Sequence, residues 1–221
     1  MCAFSLQSNA IVTSNFTDTV GRTVYKFVNA NGNYNYTTGF NYFINFEKLN
    51  MNLNAGLDFY KSNYNNVVND KKSVTNNTSM GVNLGINKDK EKTYNFYYQG
   101  NIRYNISTSF ISKYLQTKYW TQEHNFGLTV MLPWKFELNN ELQASLQQKT
   151  VLFSGDNNIL LWNAYFGKKF LKNNTAIIKI IAHDILNQNI GYSRYISTNV
   201  IQETNYQSIA RYFLLNFVWR F

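Results

Sequence analysis

The chain has 221 residues, with 21 Lys plus Arg against 12 Asp plus Glu, a net charge of +9, 17 Tyr, 17 Phe and a single Cys. One cysteine excludes a disulfide scaffold, the aromatic content excludes a disordered chain, and no run of about 18 apolar residues is present to make a transmembrane helix. Asn is the most frequent residue and Pro occurs once, at Pro133; Asn and Tyr in excess over Ala, Glu and Leu disfavour helix and suit strands with one polar face.

Side chains on a strand alternate between its two faces, so a period of two in hydrophobicity marks a strand with one apolar and one polar side. The alternation starts at 3–16 and continues through 23–46, a long segment with a break near Asn31-Gly32. In 33–46, Tyr34, Tyr36, Thr38, Phe40, Tyr42, Ile44 and Phe46 share one face, opposite Asn33, Asn35, Thr37, Gly39, Asn41, Phe43 and Asn45. Segment 49–64 places Met51, Leu53, Ala55, Leu57 and Phe59 opposite Asn50, Asn52, Asn54, Gly56 and Asp58. In 79–87, Met80, Val82, Leu84 and Ile86 alternate with Ser79, Gly81, Asn83 and Gly85. The pattern recurs in 93–107, 118–132, 135–148, 158–168 and 175–183, and closes in 208–221 with Phe213, Leu215, Phe217, Trp219 and Phe221 on one face. The count is about ten strands, many of them long enough to cross a bilayer core, for which about 9–11 tilted residues suffice.

Connections alternate in length. The links at 47–48, 88–92, 133–134 and 170–174 are short, and those at 65–75, 108–117, 150–157 and 184–207 are longer and polar. Strand length, this asymmetry and a polar face rich in amides but poor in charge predict an all-β, antiparallel transmembrane β-barrel rather than a soluble sandwich. The apolar rows then face lipid around a hydrated interior. The whole chain, 1–221, reads as one outer-membrane barrel domain whose short turns lie on the periplasmic side. Tyr34, Tyr60, Tyr94, Trp120, Trp134 and Trp219 are expected as interfacial girdles.

Little in the sequence points to catalysis. His183-Asp184 borders a long loop and could pair with Ser193 or Ser197, but triads are defined by geometry and a rim position is the simpler reading. No Cys/His cluster has metal-ligand spacing, so neither metal nor cofactor is expected, and the chain is read as a non-enzyme. Glu137 and Glu141 are expected to pair with interior cations such as Arg103. Lysines in turns and loops form a solvated rim near lipid phosphates; no nucleic-acid recognition element accompanies them.

Two segments carry a family likeness. Trp162-Asn163-Ala164 leads to Lys168-Lys169-Phe170-Leu171-Lys172, and the segment Asp184-Ile185-Leu186-Asn187-Gln188-Asn189 follows the penultimate strand. Together with Arg211-Tyr212-Phe213-Leu214-Leu215 through Arg220-Phe221, they make the last sixty or so residues resemble the carboxyl end of TonB-dependent receptors of the Bacteroidota-type outer-membrane β-barrel family. The alternating end on Phe221 resembles the terminal-strand signature read by the barrel-assembly machinery. The resemblance implies part of a larger, 22-stranded barrel of the Gram-negative outer membrane that imports a scarce solute. Coupling to the TonB system would run through a plug that these residues do not supply. Met1-Cys2-Ala3-Phe4 leads into strand-like sequence without a secretion signal, so the chain is read as the carboxyl-terminal portion of a longer receptor. A complete small barrel, acting as a passive pore or surface binder independent of TonB, is the alternative.

Overall fold

A computed structural model describes residues 2–68, 71–90, 93–109, 116–151, 155, 157–171, 174–189, 191–196 and 201–220. Among them are fourteen strands and no α-helix: β1 (Cys2–Gln7), β2 (Ala10–Thr17), β3 (Thr23–Ala30), β4 (Asn33–Phe46), β5 (Met51–Val68), β6 (Lys71–Lys90), β7 (Tyr94–Ser109), β8 (Thr117–Leu132), β9 (Phe136–Gln147), β10 (Ile159–Phe170), β11 (Ala176–His183), β12 (Gly191–Ile196), β13 (Ile201–Tyr206) and β14 (Tyr212–Trp219). Twelve form one sheet whose main path runs β1-β4-β5-β6-β7-β8-β9-β10-β11-β14; β12 and β13 form a separate hairpin. Every pairing along the main path is antiparallel. β1 and β14 are the two ends of that path, so among the described residues the sheet is open.

Two of the four strands beyond the ten expected arise because two segments bend. Segment 3–16 divides at Ser8-Asn9 and 23–46 divides at Asn31-Gly32, as the sequence suggested for the second. Asn9 (φ 52) and Gly32 (φ 84) take left-handed backbone at the bend, a conformation glycine and asparagine tolerate best. The Asn9 N–H donates to Asn31 Oδ1 at 2.6 Å, bracing the two corners. β2 and β3 thus continue the β1–β4 pair as a hairpin off the main path.

Two expected loops are also partly strand. β5 and β6 pair without interruption from Met51↔Lys88 to Val68↔Lys71, covering most of the 65–75 link, and 184–207 contains β12 and β13. Two of the short links are 3₁₀ turns, Glu47–Leu49 and Pro133–Lys135; β6 runs on to Lys90, inside the expected 88–92 link, and β10 ends at Phe170 before β11 begins at Ala176.

The partition of side chains is inverted relative to a water-soluble core. The buried hydrophobic residues among those described are Val12, Ala30 and Ala176, while Ser14, Asn33, Asn65, Ser73, Thr75, Ser79, Thr117, Glu137 and Asp184 are buried polar ones. Large apolar side chains stand exposed along whole strands, among them Phe40, Leu57, Met80, Val82, Leu84 and Ile102 on β4 to β7. Neighbouring strands pair aromatic rings on this same face, as in Phe96–Phe126 (5.5 Å between centroids), Tyr104–Trp120 (4.8 Å) and Phe136–Phe166 (5.1 Å). Such cross-strand pairs are the local unit of sheet stability.

Candidate functional site

The polar face is built by register. Asp58, Gly81 and Arg103 lie side by side on β5, β6 and β7. A Cβ on Gly81 would sit 2.8 Å from Asp58 Cγ. With no side chain there, Arg103 reaches over β6 and Nη2 meets Asp58 Oδ2 at 3.0 Å. The same device recurs at Glu137, Gly167 and Lys179 on β9, β10 and β11, where Lys179 Nζ lies 4.0 Å from Glu137 Oε1. Glu137 is also paired with Lys169 and accepts a hydrogen bond from the Tyr165 hydroxyl, and Lys179 Nζ sits 3.9 Å from the Tyr165 ring centre. A buried carboxylate is tolerable only when paired and hydrogen-bonded in this way. The cation expected beside Glu137 and Glu141 was Arg103; the register instead gives Arg103 to Asp58 and gives Glu137 two lysines.

Between these two clusters the face carries Glu123 on β8 and Glu141 on β9, and towards the short-turn ends of β4 to β7 it is lined mainly by amides. A recess of about 340 Å³ is lined by Phe43, Asn52, Asn54, Asn87, Tyr97 and Gln99 around Gly85. Among the described residues, the amides of Asn52, Asn54, Asn87 and Gln99 make no side-chain hydrogen bond within the protein. The hydroxyls of Ser73, Thr75 and Ser79, further along β6, are buried without a hydrogen-bond partner in the protein. The free amides and the two rings of the recess can hydrogen-bond and stack on an uncharged polar solute; the three buried hydroxyls do not line it.

The loop after β11 has a closed structure. The Asp184 carboxylate accepts from the Gln188 N–H through Oδ1 and from the Asn189 N–H through Oδ2, both at 3.0 Å. The Asp184 N–H donates to Asn163 Oδ1 at 2.9 Å and the Ile185 N–H to the Trp162 carbonyl at 2.8 Å, tying the loop to β10. Asn187 Oδ1 accepts from the Arg211 N–H at 3.0 Å, and Arg211 Nη1 donates to the Ile185 carbonyl at 3.1 Å, tying it to the start of β14. The four residues singled out in the sequence, Asp184, Asn187, Gln188 and Asn189, therefore come together, and three strand ends meet there. His183 stacks on Tyr212 at 4.6 Å between ring centres. Asp184, fully engaged by backbone amides, does not orient it. Ser197 lies outside the described residues, and so does the side chain of Ser193.

Phe213, Leu215, Phe217 and Trp219 project from one face of β14 and are all more than half exposed, as alternation requires; Phe221 lies outside the described residues. Of the expected girdle residues, Tyr34, Tyr94, Trp120 and Trp219 belong to the apolar face and Trp134 stands 83% exposed in its turn. Tyr60 is on the polar face, opposite Ser79.

One group was missed in the sequence because it is polar on the apolar side. His124 sits beside Gly100, with Nδ1 2.9 Å from the Tyr98 hydroxyl and Nε2 3.3 Å from Gln122 Oε1. The Gln122 oxygen can only accept, so Nε2 carries the proton and Tyr98 donates to Nδ1. The cluster satisfies itself. No grouping of three or more potential metal ligands occurs among the described residues.

No family model, curated protein or solved structure matches this chain.

Proposed function

We propose that the chain forms part of the wall of an outer-membrane β-barrel, as the carboxyl-terminal portion of a TonB-dependent receptor importing a scarce solute. The observation that carries the membrane part is the inverted partition: continuous apolar rows are exposed while the opposite face holds the ion pairs and amides. In water that arrangement would expose an apolar patch far beyond the few hundred Å² a soluble monomer carries; in a bilayer it matches the solvent on each side. An apolar hollow of about 510 Å³ among Phe40, Leu57, Met80, Val82, Ile102 and Trp120 is shaped to take hydrocarbon. Backbone groups at the open ends, β1 and β14, would need strand partners for a membrane to accept the sheet, and further strands of a larger barrel would supply them. The likeness of the last sixty residues supports the receptor part.

A passive small barrel is the second reading, favoured by the ten strands of the main path, since bacterial single-chain barrels have even counts. β1 would then pair with β14.

The membrane part is tested by refolding the chain into vesicles whose acyl chains carry bromine. Tryptophan fluorescence is expected to be quenched, chiefly from Trp120, Trp162 and Trp219 on the apolar face. Unquenched emission together with β-type circular dichroism would reject it. Reading the DNA upstream of the Met1 codon separates the two barrels: a frame continuing into a plug supports the receptor, whereas an export signal directly ahead of Met1 supports the small pore.

A further inference from the structure

We infer that the apolar face carries a belt of lysines at its short-turn edge that binds the phosphates of anionic lipids. The inference rests on the membrane-spanning reading above. Lys88 and Lys90 end β6 on the same face as Val82 and Leu84, and Lys168 lies near the end of β10 on the face of Phe166. Among the described residues none of the three has an ion-pair partner. Each has an aromatic as its cross-strand neighbour: Lys88 is in register with Phe96 and Lys90 with Tyr94, and Lys168 Nζ sits 4.7 Å from the Phe136 ring centre. Of the acids described at this edge, Asp89 and Glu137 alternate onto the opposite face, where Glu137 is already held by Lys169 and Lys179, and Glu47 lies in the turn before β5 without an ion pair to these lysines. Lys88, Lys90 and Lys168 thus stand without a counter-charge, among the described residues, on the side proposed to meet lipid.

The spacing fits. Lys61 on β5 and Lys118 on β8 bound the same face at the other end, both at the level of Ile106 or its partner Thr78. From Thr78 to Lys88 the strand covers ten residues, about 33 Å along its length and about 23 Å in height at a 45° tilt. That is close to the apolar band of about 25 Å typical of outer-membrane barrels. Ammonium groups at this depth, beside aromatic neighbours, would meet the phosphodiester layer. The lysines sit at the short-turn ends of β6 and β10, four strands apart, a spread that suits a lipid annulus better than a compact protein partner.

The test is electron spin resonance of the refolded protein with phosphatidylglycerol or phosphatidylcholine, each spin-labelled at the same acyl carbon. The immobilised fraction is expected to favour phosphatidylglycerol by about two- to fivefold at low salt. The preference should collapse at 1 M salt, where screening acts within about 3 Å, and in the Lys88→Gln/Lys90→Gln/Lys168→Gln variant, but persist in Asp89→Asn. Equal association of the two lipids with the unsubstituted protein overturns the inference without needing any variant to fold. If neither lipid is immobilised, the membrane-spanning reading itself fails, and this inference with it.

Discussion

Leu84 and Asn83 are neighbours on β6 that point to opposite faces, Leu84 exposed and Asn83 half-buried beside Gly56. If the apolar face meets lipid, Leu84→Arg should weaken folding into bilayers by about 2–4 kcal/mol near the midplane, while Asn83→Arg should cost much less. Denaturant titration in vesicles reads the difference, and equal costs would mean the faces are assigned the wrong way round. Asp18, in the turn between β2 and β3, offers a pH handle. Its carboxyl is held below the ordinary value first by the Arg22 N–H (2.8 Å), then by the Arg22 guanidinium, and also by the Val20 N–H, against a small opposing effect of burial. A depressed pKa in the folded state contributes stability that is present above the unfolded value of about 3.9 and is lost as pH falls through the folded value. The Val20 and Arg22 amide resonances should therefore stay fixed from neutral pH to about 4 and shift only in stronger acid. At this scale the facing of Leu84 was legible from alternation alone. The partner of Arg103 was not, because a cross-strand contact depends on register, and the sequence does not say which glycine on β6 will fall between Asp58 and Arg103.

Strands run further than their hydrophobic pattern. β5 has 18 residues and β6 has 20, and both extend through Asn-, Lys- and Ser-rich sequence that reads as loop. Ladder hydrogen bonds need only backbone, so a polar hairpin can continue wherever its partner does; periodicity marks where apolar contact ends, not where pairing ends. The bends at Asn9 and Gly32 show the converse, since an unbroken alternation hides a corner unless a left-handed residue betrays it. The loop after β11 is an element in its own right. Asp184→Ala would leave the Gln188 and Asn189 amides without their acceptor, at a cost of about 1–3 kcal/mol. Hydrogen exchange at those two amides and at Arg211 should accelerate while exchange in the β5–β6 ladder stays unchanged. Unaltered exchange at Gln188 and Asn189 would show that the turn is held by other bonds. The sequence singled out these residues by likeness, but the reason they sit together, three strand ends tied through one carboxylate, emerges only from the coordinates.

For the molecule as a whole, the all-β antiparallel architecture and its two-faced character were legible because they repeat in nearly every segment. The fate of the sheet's edges was not, since any strand with one polar and one apolar side looks the same whether it lies mid-sheet or at the margin. The glycines of the polar face carry a further consequence. At Gly81 and Gly167 the long charged side chains recline across a neighbouring strand instead of standing upright from it. The polar layer is thereby thinned to little more than the depth of one reclining chain. If the polar face lines a conduit, as proposed above, its free cross-section depends on what is missing at those positions, and a bulky residue at either glycine would narrow the passage by prising its tenants up into the stream.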